Sequence, residues 1–431
     1  MSKQIITAID IGSSKICTAI ASCEDEKEPN VIGVATVPSK GIKKGVIVNI
    51  DEAINSIVQS LEAAERMAGI TVPSAYISIS GKHITSTNNK GIVAVSHDEI
   101  TPEDVIRSID SARTVSIPPS REILHVIPRE FVVDAQSGIK DPVGMAGTRL
   151  EADTHIVSAT STALHNLVKC LQQLGLRIDD VVFGGWASAI AVLTPTEKEL
   201  GVLMIDIGGG TTDIVTFMED AITYSGSIPV GGANITSDIA IGLRVSIENA
   251  EKIKLNIEKV RKASKKEDPK DEKNDKEDKK TAKKTKNTLD LSVLNITDAD
   301  DVTDEFFDKI VEARLREIFR LVKAQLEQSG YEWRLPAGIV MTGSTALIPG
   351  IAKVAQQELA IPARVGYPQG VIGLVDEIAG PGFATTQGLL LYGDTNYESG
   401  QEGGRFNVGN VGGIGQGMVG KVTGFFKNLM P

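Results

Sequence analysis

Cysteine is scarce: Cys17, Cys23 and Cys170 are the only three in 431 residues. Their spacing fits no metal-ligand pattern and leaves one without a disulfide partner, so a disulfide-stapled secreted scaffold is excluded. The three read as small buried hydrophobes in a reducing cytosol. Long apolar runs are also missing. No stretch reaches the roughly 18 residues of a spanning helix, and the chain runs from MSKQ straight into a strand pattern without a secretory leader. The expectation is a cytosolic protein, or one lying on a membrane without crossing it. Positive charge is in short supply, with Lys plus Arg at 45 against Asp plus Glu at 56, a formal net charge of −11. No folded segment carries a basic patch, so nucleic acid is not an expected partner. A Ser-His-Asp set, HExxH, a Walker GxxxxGK[ST] and a dinucleotide GxGxxG after a first strand are all absent, and His83, His97, His125, His155 and His165 are scattered, as structural histidines are.

What remains is an ordinary globular composition, 41% hydrophobic and 23% charged, with length for about two to four packed units. Ile5 to Asp10 is a β-branched run that turns on Gly12-Ser13-Ser14-Lys15 and resumes at Ile16 to Ala21; a third strand follows at Val31 to Val37. Ile54, Ile57, Val58, Leu61, Ala64 and Met67 recur at helical spacing and predict a helix covering that sheet. Between about 72 and 160, β-rich runs enclose one helix introduced by Thr101-Pro102-Glu103-Asp104, which suggests a small inserted α+β module. Strand and helix then alternate regularly.

The informative feature is a repeat. Ile9-Asp10-Ile11-Gly12-Ser13-Ser14-Lys15-Ile16 recurs as Ile205-Asp206-Ile207-Gly208-Gly209-Gly210-Thr211-Thr212-Asp213-Ile214. Each copy is a strand ending in Asp-Ile-Gly, a turn of small residues and a return strand, so two similar domains side by side are implied. The second copy is interrupted at 261–287, where 12 basic and 7 acidic side chains with almost nothing apolar read as a disordered surface loop.

Glycine turns of this kind let backbone N–H groups approach a phosphate chain without a Cβ in the way. If the domains face each other, both turns point into one cleft and Asp10 and Asp206 share a cation. Mg²⁺ keeps most of its water and takes few protein oxygens, so these two carboxylates are its candidate ligands and the candidate catalytic pair. Lys15 is placed to neutralise a phosphate oxygen, Thr211 and Thr212 to add hydroxyl donors, and Asp213 to cap the turn. Gly231 and Gly232 lead into a helix whose N-terminus could face an anion, and Glu251 and Lys254 share a face of the next helix, able to bind a ribose or base or simply to be solvated. Gly343 and Ser344 follow a strand at the kind of place where open α/β sheets bind ligands. At the other end, residues 393–417 form a Gly-rich tether. Beyond it Met418, Val419, Val422, Phe425, Phe426, Leu429 and Met430 make one apolar stripe of a helix of about 18 Å, too short to span a bilayer and able to lie in its interface.

These turns, in this order and separation, resemble the actin-like ATPase superfamily, and within it the FtsA family of bacterial cell-division proteins. The specific likeness lies in His125-Val126-Ile127-Pro128-Arg129-Glu130-Phe131-Val132-Val133-Asp134, in Ile139-Lys140-Asp141-Pro142-Val143-Gly144-Met145-Ala146-Gly147-Thr148-Arg149-Leu150, in His155-Ile156-Val157 and in Thr236-Ser237-Asp238-Ile239-Ala240 with Ala250-Glu251 and Lys254. The resemblance implies an α/β actin-like fold of two ribonuclease-H-like domains around a nucleotide cleft. By it, 1–83 and 154–195 form the first domain, 84–153 the inserted module, 196–228 and 302–393 the second domain and 229–301 its subdomain. A linker at 394–416 and a membrane-targeting helix at 417–431 complete the chain. It also implies ATP and Mg²⁺ as cofactors, with Gly12, Ser13, Ser14, Lys15, Gly208, Gly209, Gly210, Thr211, Gly231, Gly232, Glu251, Lys254, Gly343 and Ser344 contacting ATP. Its partners would be further copies in a filament, the FtsZ tail, membrane lipids on the inner face of the cell membrane at the division site, and other division proteins. Two departures qualify it. Gly184-Gly185 stand where many relatives have Glu-Pro, which removes a carboxylate able to orient the attacking water and implies slow hydrolysis. Asp300-Asp301-Val302-Thr303-Asp304-Glu305 stand where relatives tend to be basic, although Arg314 and Arg316 are kept nearby. The alternatives are a pilus-assembly adaptor of the same superfamily and a small-molecule kinase on the same fold, for which no residue offers itself as the base.

Overall fold

The computed structural model describes residues 4–24, 27–114, 117–264, 288–296, 302–330 and 335–398. Most of the charged run, Asp300 and Asp301, the tether beyond 398 and the apolar stripe from Met418 to Met430 lie outside the described residues.

The first sheet grows from the predicted strand–turn–strand. β1 (Gln4–Ile11), β2 (Lys15–Cys23) and β3 (Asn30–Pro38) form an antiparallel meander, and a two-stranded hairpin of β4 (Ile42–Lys43) and β5 (Val46–Ile47) follows. Helix α1 (Ile50–Ala68) begins at Asn49, whose side chain accepts from the Glu52 amide, and ends at Gly69 with φ 70°. Its buried face is Ala53, Ser56, Ile57, Ser60 and Ala64, while Met67, expected on the apolar stripe, is exposed. Ile57 and Ala64 of the predicted stripe are fully buried, and Ile54 and Leu61 pack against the same core. A Cβ at Gly33 of β3 would lie 2.5 Å from the Ala64 carbonyl oxygen, so small side chains line the closest approach. Strand β6 (Ser74–Ile79) then joins β1 in parallel.

The chain next leaves for the inserted module, β7 (Thr85–Ala94), α2 (Pro102–Arg113), β8 (Arg121–Val133), β9 (Gln136–Ile139) and β10 (Arg149–Thr160), a four-stranded sheet in the order β7-β10-β8-β9 with α2 across it. Thr101 and Asp104 form the expected cap of α2 as a reciprocal capping box. Ile100, Val105, Ile109, Phe131, Val133 and Leu150 make a separate small core there. Strand β10 runs without a break into α3 (Ser161–Gln173). From there β11 (Arg177–Phe183) pairs β6 in parallel, followed by α4 (Gly184–Val192) and the short α5 (Pro195–Leu200).

The second sheet repeats the first. β12 (Val202–Ile207), β13 (Thr212–Met218) and β14 (Ala221–Ile228) form an antiparallel meander; α6 (Gly232–Leu243), α7 (Ile247–Ser264) and α8 (Asp304–Gln328) follow; β15 (Ile339–Thr342) joins β12 in parallel, and after α9 (Ile351–Leu359) β16 (Ala363–Val365) joins β15. The order β14-β13-β12-β15-β16 matches β3-β2-β1-β6-β11 strand for strand. The end of the described chain departs from the expected division, which carried the second domain to 393. β17 (Ile372–Gly373) pairs with β3, and α10 (Ala384–Glu398) packs on α4 and β1, with Leu389, Leu390 and Tyr392 buried among Ile6, Ala8 and Cys17.

Candidate functional site

Strands β1 and β12 end at equivalent points, and their turns close alike: the Gly12 amide donates to the Lys15 carbonyl at 3.1 Å and the Gly208 amide to that of Thr211 at 2.9 Å. The two turns meet face to face. A Cβ at Gly209 would stand 2.6 Å from the Ser14 side chain and one at Gly210 2.7 Å from that of Ser13. The glycines of the second turn are thus the space that the serines of the first occupy, and the two turns form one surface of amides and hydroxyls.

Below them lie the carboxylates. Asp10 accepts from the Ser78 hydroxyl at 2.8 Å, and burial raises its pKa although Lys15 opposes the shift. Asp206 accepts from Ser188 at 2.5 Å and Thr385 at 3.2 Å; burial, with help from the Asp10 charge, pushes it up to about 6. Both carboxylates stand at equivalent strand ends, beneath the turns that meet. Asp213, read from the sequence as a turn cap, is a third member of the group. It stands directly across the strand pair from Asp206, accepts from Ser227 at 2.5 Å, and is pushed up to about 7 by burial and then by Asp206. A residue two places along each strand from a hairpin turn faces its counterpart, so placing the turn at 208–211 would have revealed the pair. Gly184 and Gly185 border Asp213: a Cβ at Gly184 would lie 3.4 Å from its Oδ2 and one at Gly185 3.0 Å from its Cβ.

The other predicted residues gather around this floor. The Lys15 ammonium sits 3.2 Å from the centroid of the Phe383 ring, and burial lowers its pKa against the pull of Asp10. The amides of Gly232 and Ala233, at the start of α6, donate to the Gly208 and Gly209 carbonyls at 2.9 and 2.8 Å, so this helix start braces the second turn. Gly343, at φ 88°, packs on Asp206 so closely that any Cβ would strike its Oδ1, and Ser344 follows it. Lys254 pairs with Glu251 at 2.7 Å and donates to Thr236 at 2.8 Å, which fastens α7 to the first turn of α6. Thr212 is the exception: its buried hydroxyl donates to the Val230 carbonyl at 2.8 Å and is spent within the protein. No group of three His, Cys, Asp or Glu suited to a metal occurs among the described residues. Two carboxylates and water suit a hard cation such as Mg²⁺, and Asp10 and Asp206 offer that donor set.

Comparison with known proteins places this geometry. Residues 81–158 match the family described as "SHS2 domain inserted in FTSA" and residues 203–388 that described as "Cell division protein FtsA". The cell division protein FtsA of Pseudomonas aeruginosa is 38% identical over 91% of this chain and 90% of its own length. That of Borreliella burgdorferi is 38% identical over 91% of both, and that of Escherichia coli K12 32% identical over 93% and 92%. Among solved structures, a PilM-PilN type IV pilus biogenesis complex aligns with TM-score 0.61 at 14% identity over 90% of this chain and 98% of that one. MreB5 of Spiroplasma citri bound to AMPPNP aligns with TM-score 0.51 at 14% identity over 93% and 100%. The fold is therefore actin-like, with an inserted SHS2 module.

Proposed function

Because the chain belongs to the FtsA family of cell-division proteins, we propose that it binds ATP with Mg²⁺ in the cleft, polymerises with its own kind, and tethers FtsZ filaments to the inner face of the cytoplasmic membrane, where it recruits other division proteins. The observation that carries the nucleotide part is the contact of the two glycine turns over coupled carboxylates; the AMPPNP held by the MreB5 relative in fold supports the same reading. Gly12 to Lys15 and Gly208 to Thr211 hold the phosphates, Asp10 and Asp206 hold the cation through water, and Glu251, Lys254, Gly343 and Ser344 border the nucleoside. Nucleotide acts by binding the closed cleft better than the open one, with turnover slow.

Membrane attachment is assigned to the stripe Met418, Val419, Val422, Phe425, Phe426, Leu429 and Met430; among the described residues no helix is long and apolar enough to cross a membrane. Contact with the FtsZ tail through the basic residues of the family surface meets competition. Arg261 binds Asp304 at 2.8 Å and also Asp308, Arg314 grips Asp238 with bonds of 2.6 and 2.8 Å, and Arg316 binds Glu358 at 2.5 Å.

The deciding experiment sediments purified protein with anionic vesicles, with and without ATP. Full-length protein pellets, more so with ATP, and a chain lacking 417–431 stays in the supernatant; equal pelleting of both overturns the tether. Capture by an FtsZ tail peptide and not by a pilus-protein N-terminal peptide separates this reading from the pilus adaptor, to which the PilM-PilN likeness lends only a shared fold.

A further inference from the structure

The inserted module hangs by covalent connections from the first domain alone, since it is entered from β6 and left through β10 into α3. It is also packed there: the Nε2 of His125 accepts from the Phe183 amide at 3.0 Å. Its edge strand β7 nevertheless lies beside β14, the edge strand of the second domain, and the two are joined by side chains instead of a ladder. The Ser86 hydroxyl donates to the Ser225 carbonyl at 2.7 Å and accepts from the Ser225 amide at 3.1 Å. Asn88 donates to the Thr223 carbonyl at 3.1 Å, and Lys140 reaches the Glu219 carbonyl. His155, fully buried and held neutral by that burial, bridges Asn88 at 2.7 Å and the Ser225 hydroxyl at 2.8 Å. The contacts on β14 fall at Thr223, Ser225 and Ser227, alternate residues on one strand. The last of them accepts from the Gly81 amide at 3.2 Å while donating to Asp213 at 2.5 Å on the cleft floor.

We propose that this seam is a latch across the two domains: the SHS2 module, carried by the first domain, clasps β14 of the second, so the cleft opens only when the Ser86, Asn88 and His155 bonds part. The latch rests on the nucleotide reading for its use, not for its existence. It favours the closed state before any ligand binds, and a bound nucleotide shares that closed state, so weakening the seam lowers the closed population and the apparent affinity together. A partner engaging the module near β7 would alter nucleotide hold without touching the cleft.

The test uses the full chain with Ser86→Ala and Asn88→Ala combined, two residues at the seam's rim, against Thr101→Ala, which loosens α2 inside the module and leaves the seam whole. Hydrogen exchange without ligand comes first. The double variant is expected to expose the amides of residues 205–213 and 221–228 about tenfold faster than wild type, and Thr101→Ala to leave them unchanged. Equal exchange in wild type and double variant, or the same acceleration in Thr101→Ala, overturns the latch. The second measurement is release of a fluorescent ATP analogue, expected about tenfold faster in the double variant and reached without a change at any turn residue. Failure of the wild type to bind the analogue would count against the nucleotide reading, while the exchange result still decides the latch.

Discussion

Asp10 and Asp206 hold the same place in two copies of one strand pair, and what faces them differs. Opposite Asp10 on β2 is Cys17; opposite Asp206 on β13 is Asp213. The thiol is fully buried and burial raises its pKa, so it stays neutral, whereas the carboxylate opposite Asp206 is held near 7 and can change charge. A repeated backbone therefore carries unequal chemistry: the first turn supplies two serine hydroxyls and Lys15, the second three glycines followed by Thr211, with a carboxylate pair beneath it. The turns differ in the same sense, serines on one side meeting glycines on the other. Two identical halves could not close on each other, because serines would meet serines.

The largest expected effect comes from making the halves alike in charge. Cys17→Asp places a second carboxylate beside Asp10 in the closed core of the first sheet and should cost at least about 3 kcal/mol in urea unfolding at pH 8, because burial and the Asp10 charge outweigh the nearby Thr36 and Thr386 hydroxyls. The cost should shrink at pH 5. The reciprocal Asp213→Cys should fold normally, since the first domain already accommodates that pair.

Exchanging the turn chemistry comes next. Gly209→Ala leaves each domain its own core yet sets a methyl against Ser14, so the cleft is held apart and affinity for an ATP analogue is expected to fall about 100-fold, or about 2.7 kcal/mol. Adding Ser14→Gly makes the space on the other side and should recover most of the loss. Were the double variant as weak as Gly209→Ala alone, the complementary fit of the two turns would not be what sets closure.

The carboxylate pair has a smaller signature, in pH. Asp213 lies at about 7 in the folded protein against an ordinary 3.8, and Asp206 at about 6. The folded state thus binds more protons than the unfolded chain across this window, and stability is lost as pH rises through it. Asp213→Asn should match wild type only below about pH 4, where the carboxyl is protonated in both the folded and the unfolded chain, and its advantage should widen by about 2.5 kcal/mol between pH 5 and pH 8 as the native carboxyl is forced to ionise. Saturating Mg²⁺ should narrow the gap by lowering the pKa of Asp206 and so releasing protons. A gap independent of pH would show that Asp213 does not titrate in this range.

The repeat was legible in sequence because Asp-Ile-Gly followed by small residues leaves few alternatives to a tight strand–turn–strand. The module betrayed itself by composition and by the Thr101 cap. Other features were hidden for physical reasons. Leu389, Leu390 and Tyr392 mark α10 as apolar, but helical spacing does not say which sheet receives it, and β17 is two residues long. The packing face of α1 takes in Ala53, Ser56 and Ser60 beside the expected Ile57 and Ala64, because Gly33 brings the sheet close, whereas Met67 falls outside it; a periodicity read from the largest side chains does not show the small ones. Asp213 looked like a turn residue because an acid after Thr-Thr usually is one; only the strand register sets it against Asp206.

Thr212 gives the finest test of the inequality between the turns, because adjacent threonines at the second turn read alike in the sequence. Thr212 pairs with Ile207 across β12 and with Ile228 across β14, is fully buried, and donates its hydroxyl to the Val230 carbonyl, in the bend that carries the chain from β14 to α6. Its hydroxyl thereby fixes the approach of the helix whose first amides brace Gly208 and Gly209. Thr212→Val keeps the shape and removes that bond, leaving one carbonyl without its donor, so a stability loss of about 1 kcal/mol is expected with ATP-analogue affinity within about twofold of wild type. A large loss of affinity at unchanged stability would instead mean that the hydroxyl leaves Val230 to meet the ligand, and the second turn would then supply two hydroxyl donors as the first does.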